Sequence, residues 1–246
     1  VFSRLGRSAK MVQQTSDQIF RATVLSVLHS NPRMTERRIV ELVTAEYSNR
    51  GLVAPAPSDT RLLATTYGAN IGYIFTTQPR VFMDVTIGGI PAGRMTFELY
   101  ADICPLASAN FIGLCTGEFG QAANGTVLSY QGTPVHGVVP GFCVHSGDIE
   151  YGNGTGGMSV FGQDFRDESF IELHGERGLL SMVSNGPDSN RSQFMVMLGS
   201  APLLNDRQVV FGRMIVGNQV LAMVEAVGSV TGLTTQTVMI SECDQI

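Results

Sequence analysis

At Val81 the hydrophobic pattern of the chain changes to a period of two. Val81, Met83, Val85 and Ile87 alternate with Phe82, Asp84 and Thr86. Gly88-Gly89 follows as a hairpin turn, and Arg94 to Tyr100 returns as a second strand. Pro105 stands where a helix through Thr116 would begin. A Gly/Asn-containing loop is expected over Phe119–Thr126 and a glycine-rich one over Gly152–Gly157. Short strands are expected at Val135–Val139, Phe142–Ser146, Leu179–Val183, Gln193–Leu198 and Val209–Met214. Asn218 can cap a helix running to Ala226, with Gly228 ending it, and Thr235–Ser241 reads as the closing strand. With 28 glycines and no tryptophan, the composition favours turns between strands over long helices. Many short strands and two helices point to a mainly β fold, a closed antiparallel barrel whose ends the helices cover.

Before Val81 the period is helical. Ser16 can cap a helix through His29, ended by Asn31-Pro32; Thr35 can cap a second, stopped by Gly51; and Ser58 can start a third toward Tyr67. Ala54-Pro55-Ala56-Pro57 is a short stiff linker between the last two. The chain divides accordingly into a helical extension, residues 1–80, and a β domain, residues 81–246. The extension carries ten Lys or Arg against five Asp or Glu, and the β domain six against sixteen. A basic appendage on an acidic body suggests a docking segment for protein subunits of a larger complex, with drift in surface composition as the bland alternative. The arginines are scattered with few aromatics among them, so no nucleic-acid partner is expected. No apolar run reaches the roughly 18 residues of a membrane span, so no membrane partner is expected either. Cys104, Cys115, Cys143 and Cys243 have neither disulfide-framework nor zinc spacing and read as thiols in a reducing compartment. Val1 stands first, and Arg4, Arg7 and Lys10 precede the first acid, Asp17, a pattern only faintly like a mitochondrial presequence; one still present in the chain argues against that reading.

From Phe97 to Cys243 a series of motifs appears in order. They are Phe97-Glu98-Leu99-Tyr100-Ala101-Asp102, Asn110-Phe111, Cys115-Thr116-Gly117-Glu118, Pro140-Gly141-Phe142, Gly147-Asp148 and Asn153-Gly154-Thr155-Gly156-Gly157. Phe165, Asp167, Glu168 and Phe170 follow, then Leu180-Ser181-Met182, Asn190, Ser192-Gln193-Phe194 and Val209-Val210-Phe211-Gly212. In this conjunction the sequence resembles the cyclophilins. The resemblance implies a closed, eight-stranded cyclophilin β-barrel capped by two helices, here with an N-terminal helical extension. The long stretch from Gly117 to Gly132 resembles the family branch with an extended loop. Asp102-Ile103-Cys104-Pro105 and Gly147 to Gly152 look like a divergent cyclophilin-like group found in cilia.

The resemblance also implies an activity. Family members bind an extended X-Pro segment and speed rotation about its imide bond, which unaided faces a barrier of about 20 kcal/mol. The twisted transition state loses amide resonance and its nitrogen gains basicity, so a cation with several donors favours it over the planar states. In the family an arginine does this. The matching stretch here reads His136-Gly137-Val138-Val139-Pro140-Gly141-Phe142, and the arginine position is Gly137. The glutamine that orients the arginine is matched by His145. The substrate-binding wall is better kept. Phe142 matches the floor of the proline pocket, Met195 replaces an aromatic and can fill its space, and Leu204 is retained. Leu203 stands at a family tryptophan and Gln208 at a histidine. Gln193 is kept to hold the peptide backbone, and Ser184 and Asn185 match the stretch beside it. Phe142 as plain core and Gln193 as a partner for buried backbone groups stand as alternatives.

His136, Cys143 and His145 invite a metal-site reading, set aside because the family carries the histidine at 136 without metal. Gly152–Gly157 lacks the Lys-Ser/Thr ending and following helix of a phosphate loop. No metal or cofactor is expected. The implied function is a cyclophilin-like protein with a degenerate isomerase site, a structural or protein-binding subunit of a larger assembly, with proline-containing segments as partners and the cytoplasm or a ciliary axoneme as its place. The alternative is a slow peptidyl-prolyl isomerase assisting folding.

Overall fold

The computed structural model describes residues 78–246. The three expected helices, and all but the last residues of the basic extension, lie outside the described residues. The alternating stretch from Val81 forms β1 (Arg80–Ile87), and β2 (Ile90–Leu99) returns against it. Gly88 and Gly89 have φ of +59° and +80°, and Ile87 faces Ile90 across them, so the two-residue turn forms as read. β2 begins four residues before Arg94, with Gly93 at φ +126° beside a shift of register between Val85 and Thr86.

The remaining elements are α1 (Pro105–Thr116), β3 (Gly137–Val139), β4 (Cys143–Ser146), β5 (Leu179–Met182), β6 (Phe194–Met197), β7 (Val210–Val216), α2 (Asn218–Ala226) and β8 (Val238–Gln245). A turn of 3-10 helix, Pro202–Leu204, lies before β7. The strands form one antiparallel sheet in the order β3-β4-β6-β5-β7-β2-β1-β8.

The expected closed barrel requires correction. The sheet curls strongly into a half-barrel, but its outer strands β3 and β8 do not pair as a ladder. The segment ahead of β3 crosses instead: Gly132 N–H donates to Ile240 O (2.7 Å), Val135 N–H to Val238 O (2.9 Å) and Ile240 N–H to Thr133 O (3.0 Å). Pro134 lies between these bonds, bridged to Met239. Because Val135 N–H is given to Val238, the ladder with β4 covers only Gly137–Val139 of the strand expected from Val135. β8 begins three residues later than expected because its partners lie further on, with Cys243 opposite Met83 and Gln245 opposite Val81.

The core lies in the hollow of the curled sheet. Phe111 of α1 is fully buried, its ring 5.0–5.1 Å from those of Tyr130, Phe194 and Phe211. Ring pairs at such spacing add about 0.5–1.5 kcal/mol each beyond their burial. α1 packs on β8, β1 and β7. Its N-terminus has no cap from its own sequence: Cys104 occupies the capping position, and Glu168 accepts the N–H groups of Leu106 and Ala107 (both 2.8 Å). Burial pushes Glu168 up to about 7, against the pull of those two bonds. Asn218 does not cap α2. Gly217 holds that place with φ +114°, where a Cβ would strike Met95 and Arg94 backbone atoms at 2.7–2.8 Å. The long loop after α1 folds on itself as a small hairpin, with Gln121 bridged to Val127 and Phe119 and Leu128 tucked beneath.

Candidate functional site

One face of β4, β5 and β6 carries a second apolar cluster of Cys143, Leu179, Met195, Met197, Ala201 and Val210, with Tyr100, Phe142, Val183 and Leu204 packed on it half-buried. Phe142, Met195 and Leu204, assigned to the proline pocket by sequence, therefore come together. Phe142 is held from both sides: its N–H bonds Val139 O (3.0 Å) and its carbonyl accepts Leu198 N–H (2.9 Å). The preceding Gly141 N–H donates to Glu225 of α2 (2.8 Å), whose other oxygen takes Arg177 Nη1 (2.6 Å). Phe142 is partly buried at the edge of the cluster, packed on its core members. All four cysteines are free and buried, and burial pushes Cys143 up to about 11.

Gly137 lies across from His145 in the β3–β4 ladder. The His136 and His145 rings stand against each other, centroids 4.6 Å apart and tilted by 50°. Burial lowers the pKa of both. It brings His145 to about 4, the neighbouring imidazole adding to the effect and the Gln193 amide, close by but outside hydrogen-bond geometry, working the other way. Both rings are therefore neutral near pH 7. His136 Nδ1 and Nε2, His145 Nε2 and Gln193 Oε1 are buried polar atoms without hydrogen-bond partners. A Cβ added at Gly137 would meet only His145 Cβ, at 3.3 Å.

The glycine-rich segment is organised by an internal carboxylate. Asp148 accepts the N–H groups of Glu150, Tyr151, Asn153, Gly154 and Gly156 at 2.8–3.2 Å. Donors that could face a phosphate are spent on this side chain, which gives the physical reason the segment is no phosphate loop. Burial would raise Asp148, but the N–H bonds win and hold it at about 2. The carbonyls of Gly154 and Gly156 in turn accept Gln193 Nε2 (3.0 and 2.7 Å). Gln193 thus satisfies partly buried carbonyls of the loop through its Nε2, while its Oε1 remains without a hydrogen-bond partner.

On the opposite rim, Gln208 Oε1 accepts the N–H and hydroxyl of Ser184 (2.9 and 3.2 Å), and its Nε2 returns to Ser184 O (3.2 Å). Ser184 and Gln208 are thereby brought together. Asn185 is exposed, its N–H on Ser189 Oγ (3.0 Å), and Leu203 is 64% exposed at the edge. His174 was not singled out by sequence. It is buried, one ring nitrogen on Ser181 Oγ (2.8 Å) and the other on Asn205 Oδ1 (3.1 Å), and it ties the Pro202–Leu204 turn to β5. No motif marks it; the only signal was an isolated histidine five residues before a strand.

Residues 82–245, two thirds of the chain, match the family model described as cyclophilin type peptidyl-prolyl cis-trans isomerase/CLD. The chain belongs to the cyclophilin family. Within this cyclophilin five of the seven described arginines are paired elsewhere: Arg80 and Arg213 with Glu98, Arg94 with Asp84, Arg177 with Glu225 and Arg191 with Asp164. Among the described residues, none donates to the orphaned atoms beside Gly137. No helix among them is long and apolar enough to cross a membrane.

The histidine pair has a measurable consequence for this cyclophilin. A histidine whose folded pKa is depressed leaves the unfolded chain binding more protons below its ordinary pKa of ~6.5. The stability at stake is fully present above that pH and is lost as the pH falls through about 4, where His145 titrates in the fold. His145→Gln removes that group. Unfolding free energies from urea titrations at pH 7 to 4 are expected to fall by on the order of 1–2 kcal/mol more in the parent than in the variant; parallel profiles would show that His145 does not carry the effect.

Proposed function

We propose that this cyclophilin domain binds proline-containing segments with little or no isomerase turnover and serves as a structural or protein-binding subunit of a larger assembly. One observation carries the reading. Gly137 occupies the position of the family arginine, and the groups that would receive a guanidinium there, two neutral imidazoles and the Gln193 oxygen, have no partner. The apolar wall of Phe142, Met195 and Leu204 supports retained binding. The exposed Leu203 and the mutual clasp of Ser184 and Gln208 support a groove with fewer donors free for the peptide. The basic segment of residues 1–80 is the part proposed to dock on partner subunits, and the likeness to ciliary cyclophilin-like proteins makes a cytoplasmic axonemal complex the first assembly to examine.

The test is a protease-coupled isomerase assay on an Ala-Pro peptide beside fluorescence titration of the same peptide. Loss of one transition-state donor of this kind costs about 10²–10³ in rate. The expected result is saturable binding with turnover at least ~10²-fold below that of an arginine-bearing cyclophilin. Turnover equal to such a relative would overturn the proposal in favour of a working isomerase.

A further inference from the structure

An asparagine followed by glycine exposes its side-chain amide to the next backbone nitrogen, because glycine has no Cβ to shield that nitrogen. The chain has three such pairs, Asn124-Gly125, Asn153-Gly154 and Asn185-Gly186. The fold treats them differently. In two of them both reacting groups are bound. Gly125 N–H donates to Ala122 O (2.9 Å), Asn124 Oδ1 accepts Thr126 N–H (3.1 Å) and its Nδ2 donates to Glu150 (3.4 Å). Gly154 N–H donates to the Asp148 carboxylate (2.8 Å), and Asn153 Oδ1 accepts the N–H and hydroxyl of Thr155 (3.0 and 2.6 Å).

Asn185-Gly186 lacks this protection. Both residues are exposed, in the loop between β5 and β6. Asn185 N–H donates to Ser189 Oγ (3.0 Å), and that hydroxyl donates to Gly186 O (2.7 Å). Neither bond involves a reacting group. Among the described residues, the Asn185 side-chain amide and the Gly186 N–H have no hydrogen-bond partner. A Cβ built at Gly186 would meet nothing within 4 Å, so the space around it is open.

We infer that Asn185 is a site of spontaneous covalent modification, its side-chain amide becoming a carboxylate through a cyclic imide closed on Gly186. The Gly186 nitrogen forms a bond to Asn185 Cγ. The bond from Cγ to Nδ2 breaks, and Nδ2 leaves as ammonia with the proton that the glycine nitrogen gives up. Water, the co-reactant, then opens the ring. Attack at Cγ leaves aspartate, and attack at the backbone carbonyl of residue 185 leaves isoaspartate, in which the chain runs through the former side chain. The new carboxylate joins Asp188 in the same loop, and the altered backbone directly follows Ser184, which Gln208 clasps. That place is a rim of the peptide groove under the reading proposed above; the modification does not depend on that reading.

The test holds the full chain at mildly alkaline pH, digests samples over time and quantifies the acid forms of the three peptides by mass spectrometry. Isoaspartate is identified as a methyl acceptor for a protein-isoaspartate methyltransferase. Conversion at Asn185 is expected to run at least about tenfold faster than at Asn124 or Asn153, the factor that one hydrogen bond on the attacking nitrogen supplies. In urea, where the bonds of the fold are absent, the gap is expected to close. Equal rates in the folded chain would overturn the inference by showing that those bonds give no protection. An undiminished lead for Asn185 in urea would overturn it too, by placing the preference in the local sequence. Neither result bears on peptide binding, which the isomerase assay and titration test separately.

Discussion

Gly137→Arg is expected to raise isomerase turnover on an Ala-Pro peptide by about 10²-fold, with a much smaller change in peptide affinity. The backbone allows it. Gly137 lies in β3 outside the left-handed region, so a side chain costs no φ strain, and its Cβ would meet only His145 Cβ at 3.3 Å. A displacement of a few tenths of an ångström relieves that contact, and His145→Gln in the same chain offers a more flexible neighbour. A guanidinium arriving there finds Gln193 Oε1 without a partner and two imidazoles held neutral by burial, so it enters a ring of acceptors and meets no competing cation. Among the described residues no other guanidinium reaches these atoms, so the added cation is expected to act on the twisted imide and to move kcat more than KM. An inert Gly137→Arg that still binds the peptide would mean that the missing cation is not what limits turnover, and that the groove no longer seats the imide where position 137 can reach it.

Asp148→Ala is expected to destabilise the domain by about 3–5 kcal/mol, read as a lower urea midpoint and a melting temperature reduced by roughly 10 °C. Five backbone N–H groups converge on this buried carboxylate, and removing it leaves up to five partly shielded donors unmet, a cost of about 1 kcal/mol each once water reaches the exposed ones. The loss extends into the groove, because the loop carbonyls of Gly154 and Gly156 hold Gln193. Peptide affinity is therefore expected to fall together with stability. Asp148→Asn keeps one acceptor and is expected to lie between parent and alanine variant. The pH dependence has a definite sign. With its folded pKa held at about 2, below the ordinary ~3.9, the contribution of Asp148 is full above pH ~4 and disappears as the pH falls through about 2. A variant as stable as the parent would show that the loop does not depend on its internal anion.

Periodicity and turn chemistry made the first hairpin, both described helices and the positions of the middle strands readable from sequence. Gly88-Gly89 and Pro105 are local signals that tertiary structure had no reason to override. The misreadings share a cause in long-range pairing. The start of β3 is decided by the pairing of Thr133 and Val135 with β8, and the start of β8 by its register on β1, neither of which a local window contains. Asn218 was a sound cap by residue type, but the approach of Met95 demanded a glycine one place earlier. At the site, register sets Gly137 opposite His145 and His145 opposite Met195, and Phe142, Met195 and Leu204 meet in one apolar cluster. The engagement of Gln193 with a glycine loop, the clasp of Gln208 on Ser184 and the bond of His174 to Asn205 join residues between 24 and 39 apart and leave no periodic trace.

Where β3 would have met β8, three N–H···O contacts around one proline hold the curled sheet together. Every other join between neighbouring strands is a ladder of at least three paired residues, four of the seven carrying a register shift. Breathing of the fold at equilibrium begins along this line, so the amides of Gly132 and Val135 exchange with solvent deuterium sooner than those of β5 or β6, and labelling that enters there reaches the aromatic interior before any other route opens.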